Sequence, residues 1–67
     1  MNVHLRIVDE DGDILFERQG EYRQTLAAAW ESVKTDVGPL SVAPSNLADL
    51  CDALAYAECD LLVDIKG

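Results

Sequence analysis

Residues 3–18 read VHLRIVDEDGDILFER, and this stretch decides how the chain begins to fold. Val3, Leu5 and Ile7 alternate with His4, Arg6 and Val8, the two-residue period of a strand with one buried face. The run Asp9-Glu10-Asp11-Gly12-Asp13 interrupts it, and Asp-Gly between two apolar runs is a strong hairpin signal. Ile14 to Arg18 then supplies a second strand. A two-residue turn at Asp11-Gly12 sets Asp9 opposite Ile14, Ile7 opposite Phe16, Arg6 opposite Glu17 and Leu5 opposite Arg18. Val3, Leu5, Ile7, Ile14 and Phe16 then share the core face. Arg6 and Glu17 pair on the other face, a contact of a few tenths of a kcal/mol when exposed.

Beyond the hairpin the period changes. From Tyr22 to Asp36 the residues Tyr22, Leu26, Ala29, Trp30, Val33 and Val37 trace one helical face, and Ala27 to Ala29 favour the helix intrinsically. Gly38 followed by Pro39 is the expected stop. After a short connection, Leu40 to Ala43, the run Pro44-Ser45-Asn46 opens a second helix. Ser45 or Asn46 is its N-cap, and Asp49 lies in the first turn, where the helix dipole favours an acid. Leu47, Leu50, Cys51, Leu54 and Ala55 form its buried stripe. The helical pattern ends near Glu58, and Asp60 to Lys66 alternates again, with Leu61, Val63 and Ile65 inward. The expected fold is therefore α+β, in the order β-β-α-α-β, with two helices packed on one face of a three-stranded sheet. The last strand pairs most easily beside the first, for a strand order of 2-1-3.

The chain has 67 residues, enough for one acidic domain spanning 1–67. A domain of this size buries only about 60% of its unfolded surface, so its core is small. The hydrophobic fraction of 49% is nevertheless that of a folded globular protein. Met1 to Val8 lacks the basic region and apolar run of a signal peptide, and no stretch approaches the roughly 18 consecutive apolar residues of a membrane span. A soluble, cytoplasmic protein is expected. Its two cysteines are read as reduced thiols: Cys51 as a small hydrophobe on the second helix, Cys59 at the start of the last strand. Helical spacing does not supply the geometry of a Cys51–Cys59 bridge.

Catalytic patterns do not emerge. His4 is the single histidine, and neither a nucleophile nor an orienting group can be placed beside it. A calcium loop aligned on Gly12 would begin at Ile7 and end at Arg18, where acidic ligands are required. Two cysteines and one histidine lack zinc-site spacing, and no Gly-rich phosphate loop is present. Paired carboxylates need a pocket, which a domain this small rarely supports. The expectation is a non-enzyme with no cofactor and no metal.

Charge is the informative feature. Thirteen acids against five bases give a net charge of −8, which disfavours direct contact with nucleic acid or an anionic membrane. Thr35 to Ile65 contains Asp36, Asp49, Asp52, Glu58, Asp60 and Asp64 without a single Lys or Arg. The hairpin tip adds Asp9, Glu10, Asp11 and Asp13, and Tyr56 is the aromatic expected to be exposed among these acids. Surfaces ordinarily mix both signs, and a single-sign field serves steering or binding as well as solubility. Asp49 and Asp52 rise about 4.5 Å along a helix, comparable with the roughly 3.4 Å between phosphates of one DNA strand. These eleven residues are the candidate contacts for a basic protein surface, by a chain that is a monomer or weak homodimer.

In size, acidity and lack of catalytic residues the chain resembles the small acidic anti-CRISPR proteins of phages and mobile elements, several of which mimic DNA. That resemblance implies an inhibitor seated on the basic surface of a nucleic-acid-binding complex. The segment Val3 to Val37, with Glu10-Asp11-Gly12 in a hairpin and Thr25-Leu26-Ala27-Ala28-Ala29 in a helix, is similar to HicB-type antitoxins. It lacks the family's third strand with a Pro-x-x-Gly-Cys turn. This second resemblance implies a module that neutralises a basic ribonuclease toxin. A structural or assembly subunit, with Val8 and Leu15 paired as a contact patch on the outer hairpin face, is the third expectation.

Overall fold

The computed structural model describes residues 1–37 and 43–66. The expected Gly38-Pro39 stop and residues 40–42 of the connection lie outside them. Strands β1 (Asn2–Val8) and β2 (Ile14–Glu21), helices α1 (Tyr22–Val33) and α2 (Leu47–Ala55), and strand β3 (Asp60–Ile65) follow one another in the expected order. The sheet is antiparallel throughout, in the order β2-β1-β3. Val3, Leu5 and Ile7 of the central strand are fully buried under Leu26, Ala29, Trp30 and Val33 of α1 and Leu50 and Leu54 of α2. Both helices therefore cover one face of the sheet.

The hairpin register holds at the core, with Ile7 opposite Phe16, Arg6 opposite Glu17 and Leu5 opposite Arg18. Its tip differs. The Gly12 N–H donates to the Asp9 carbonyl, and the Asp9 N–H donates to the Asp13 carbonyl, both at 3.0 Å. Gly12 has a φ of +87°. This is a three-residue loop, Glu10-Asp11-Gly12, with glycine in the left-handed position. The turn is one residue out of step with the core register, and a bulge at Leu15 absorbs the difference. Val8 consequently faces Ile14, which is 54% exposed on the open face of the sheet instead of joining the core. The expected Val8–Leu15 pair is replaced by Val8–Ile14. The Arg6–Glu17 pair is also corrected: Arg6 reaches across to Asp64 on β3 (3.7 Å), and Glu17 takes His4 (2.7 Å).

β2 runs three residues further than expected, to Glu21, because β1 offers partners down to Asn2. Val3 lies opposite Gly20. A side chain at Gly20 would meet the Thr25 hydroxyl oxygen at 3.2 Å, and Thr25 is a buried residue of α1 that polarity concealed from the apolar pattern. Each helix is capped by its own sequence. Glu21 accepts the Gln24 N–H at the start of α1, and Asn46, settling the choice with Ser45, accepts the Asp49 N–H at the start of α2. At the other end of α2 the Cys59 N–H donates to the Leu54 carbonyl and the Glu58 N–H to the Ala55 carbonyl. These two bonds make a Schellman close, with Glu58 (φ +58°) in the left-handed position that glycine usually fills.

Two expectations about burial fail at the sheet edge. Cys51 and Ala55 are exposed, although they continue the apolar stripe of α2. On β3, Leu61, Val63 and Ile65 face the helix side opposite Ile7, Leu5 and Val3. Only Leu61 is half-buried, while Val63 and Ile65 are exposed. The two helices are too few to roof all three strands.

Candidate acidic interface

The fold distributes the eleven candidate residues over three places. Asp9, Glu10, Asp11 and Asp13 form the β1–β2 turn. Asp9 shapes it, its Oδ1 accepting the N–H groups of Asp11 (3.0 Å) and Asp13 (2.9 Å). Glu10, Asp11 and Asp13 are exposed. The register Val8–Asp60 brings the start of β3 to this same end of the sheet. Glu58 and Asp60 therefore flank it, and Asp36 arrives there from the turn that follows α1.

The Cys59 thiol reports this gathering. Its pKa is pushed up first by burial and then by the negative charges of Asp9, Asp36, Asp60 and Glu10. Four carboxylates from three separate segments thus act on one point. The last turn of α2 has no basic residue, so its negative C-terminal end adds to the acids there, whereas α1 ends on Lys34. Among the described residues the ion pairs are His4–Glu17, Arg6–Asp64 and Lys34–Glu31, and none draws on these tip acids.

The remaining candidates are placed differently. Asp49 is occupied in the α2 cap, its Oδ2 accepting the Ser45 hydroxyl at 3.0 Å. Asp52 is exposed on α2, and Tyr56 is 84% exposed just beyond it. Asp64 belongs to the opposite sheet face with Arg6. The spacing of Asp49 and Asp52 therefore matters less than the meeting of the hairpin tip with Asp36, Glu58 and Asp60. Each of these acids is visible in the sequence, but no local pattern brings them together. The missing signal was the return of α1 toward the hairpin tip, which is a tertiary fact.

An open hollow of about 590 Å³ lies between the end of α2 and the start of β3, lined by Cys51, Ala55, Glu58, Cys59, Asp60, Leu61 and Leu62. A second, of about 340 Å³, lies between α1 and the segment entering α2, beside Trp30 and Pro44. Both are open surface hollows and neither is an enclosed pocket. The first hollow is lined by two thiols and two carboxylates, and burial, then the neighbouring acids, push the Cys59 pKa up, which disfavours its thiolate. Both cysteines are free. Among the described residues, no group of three His, Cys, Asp or Glu side chains is arranged to hold a metal ion, and no helix is long and apolar enough to cross a membrane. Comparisons of the chain with protein-family models, with curated proteins and with solved structures return no match.

Proposed function

We propose that this chain is a non-catalytic acidic binding protein that inhibits a nucleic-acid-binding complex by occupying its basic surface, in the manner of DNA-mimicking anti-CRISPR proteins. The observation that carries the proposal is the meeting of the acidic hairpin tip with Asp60, which the β1–β3 register sets opposite Val8; the charges of Asp9, Asp36, Asp60 and Glu10 add to burial in raising the Cys59 pKa. Like charges gathered without cations repel one another and lower stability, so a partner that supplies Lys and Arg relieves a cost already present in the free protein. Glu58 adds to this: a carboxylate occupies a left-handed position, at the negative end of a helix, where glycine is the more stable choice. Strain of that kind concentrates at functional positions. Two free thiols suit a reducing, cytoplasmic setting.

The test is capture on the immobilised protein at low salt, followed by elution with duplex DNA or with salt. Captured proteins are expected to bind nucleic acid themselves, to be displaced by DNA, and to elute as ionic strength rises. A variant carrying Glu10→Gln with Asp11→Asn, Asp13→Asn, Asp36→Asn and Asp60→Asn keeps side-chain shapes while removing five charges, and loses capture. Retention that survives this neutralisation, or that DNA does not compete, refutes the proposal.

A further inference from the structure

The two edges of the sheet are unlike. β2 is protected by its bulge and by Glu17, Arg18 and Gln19, devices that discourage pairing with another strand. β3 has no bulge, and its charges are confined to Asp60 and Asp64. Three of its six residues, Leu62, Val63 and Ile65, are exposed large hydrophobics.

The hydrogen-bonding phase of this edge follows from one contact. The Lys66 N–H donates to the Asn2 carbonyl at 2.8 Å, continuing the register that pairs Val3 with Ile65. In an antiparallel ladder bonded and non-bonded pairs alternate. Asp60, Leu62, Asp64 and Lys66 therefore bond to β1, and the backbone N–H and C=O groups of Leu61, Val63 and Ile65 face the open side.

We propose that the chain forms a two-fold symmetric dimer in which β3 pairs antiparallel with β3 of a second copy, with Val63 on the axis. A continuous sheet needs each residue to face one of the same sheet side, which places the axis through a residue. Centring on Leu62 would oppose Asp60 to Asp64 twice, and centring on Asp64 would oppose that aspartate to itself. Like charges directly opposite are destabilising. Centring on Val63 sets Val63 against its copy, Leu61 against Ile65, Asp60 against Lys66 and Leu62 against Asp64, and, unlike centring on Leu61 or Ile65, uses all three outward residues for hydrogen bonds. The register also accounts for the hollow at the α2–β3 junction. Ile65 of the second copy enters beside Leu61, against the exposed Cys51–Ala55 strip of α2, and its Lys66 arrives at Asp60 and Glu58, all of which line that hollow except the incoming residues. The apolar stripe that overhangs the sheet in one chain is covered by the other.

This dimer covers Asp60 and Glu58, which the proposed function also uses, so self-association and capture of a basic partner compete there, and salt separates the two. Two chains of −8 each repel, so self-association tightens with salt while capture of a basic partner weakens. Sedimentation equilibrium on the whole protein at low salt and at about 0.5 M salt, where the Debye length is a few Å, is expected to show a reversible monomer–dimer equilibrium that is stronger at high salt. Val63→Lys, at an exposed site, abolishes it. Asp60→Lys and Lys66→Asp each weaken it about threefold or more, because each disturbed pair occurs twice, and the double swap restores it. Circular dichroism checks that each variant is folded, and if Val63→Lys is not, the charge swaps carry the test. A chain that stays monomeric to about 1 mM, a dimer indifferent to Val63→Lys, or single swaps that the double swap does not rescue overturns the proposal.

Discussion

Replacing Glu58 by glycine is expected to stabilise the protein. Glu58 holds a φ of +58° at the close of α2, where an L side chain crowds its own carbonyl at a cost of about 1–2 kcal/mol. Glycine removes that cost but adds freedom to the unfolded chain, returning about 0.5–1 kcal/mol. The net gain is about 0.5–1 kcal/mol, which for a domain of this size raises Tm by roughly 2–8 °C. Charge contributes separately: removing the carboxylate from the negative end of the helix is worth about 0.3 kcal/mol and fades with salt. Glu58→Gln isolates that part, since glutamine keeps the strain. Thermal unfolding at low and high salt should therefore rank Glu58→Gly above Glu58→Gln above the native chain, with only the second gap closing in salt. A glycine variant no more stable than the glutamine variant would refute the claim that backbone strain is stored there.

Two further outcomes are expected. Gly20→Ala should fall short of the roughly 0.4–1 kcal/mol that such a change gains through the unfolded chain, because its new methyl meets the buried Thr25 hydroxyl at 3.2 Å; Thr25→Ala in the same chain should recover the difference, measured by urea unfolding as a double-mutant cycle. Glu21 has its pKa lowered, chiefly by the backbone N–H of Gln24 and then that of Arg23. A depressed carboxylate pKa stabilises the fold above the ordinary glutamate value and loses that contribution as pH falls through the lowered one. The stability difference between the native chain and Glu21→Gln should thus be present at neutral pH and vanish in acid, and a difference constant with pH would contradict the cap.

Local chemistry made much of this protein legible. The alternation of Val3, Leu5 and Ile7, the glycine at the hairpin tip, the helical face of α1 and the Asn46–Asp49 cap are all properties of neighbours in sequence, and each appears in the structure. The strand order β2-β1-β3 also followed, because an open edge of β1 was the simplest place for the last strand. Hydropathy misled where side-chain character and position disagree. Thr25 is polar yet buried, and Cys51 and Ala55 are apolar yet exposed. Such cases depend on where a helix lies over the sheet, which its own residues do not encode.

The acidic candidates divide along the same line. Sequence alone determined that Thr35 to Ile65 carries acids and no base, that the hairpin tip is acidic, and therefore that the surface is dominated by one sign. Tertiary structure decided which of those charges feel one another. It set Asp49 into a cap and Asp64 against Arg6, and it brought Asp36, Asp60 and the hairpin tip around Cys59. The physical reason is range. Hydrogen-bonded caps, turns and strand periods act over a few residues of chain, whereas a Coulomb interaction between charges depends only on their separation in space.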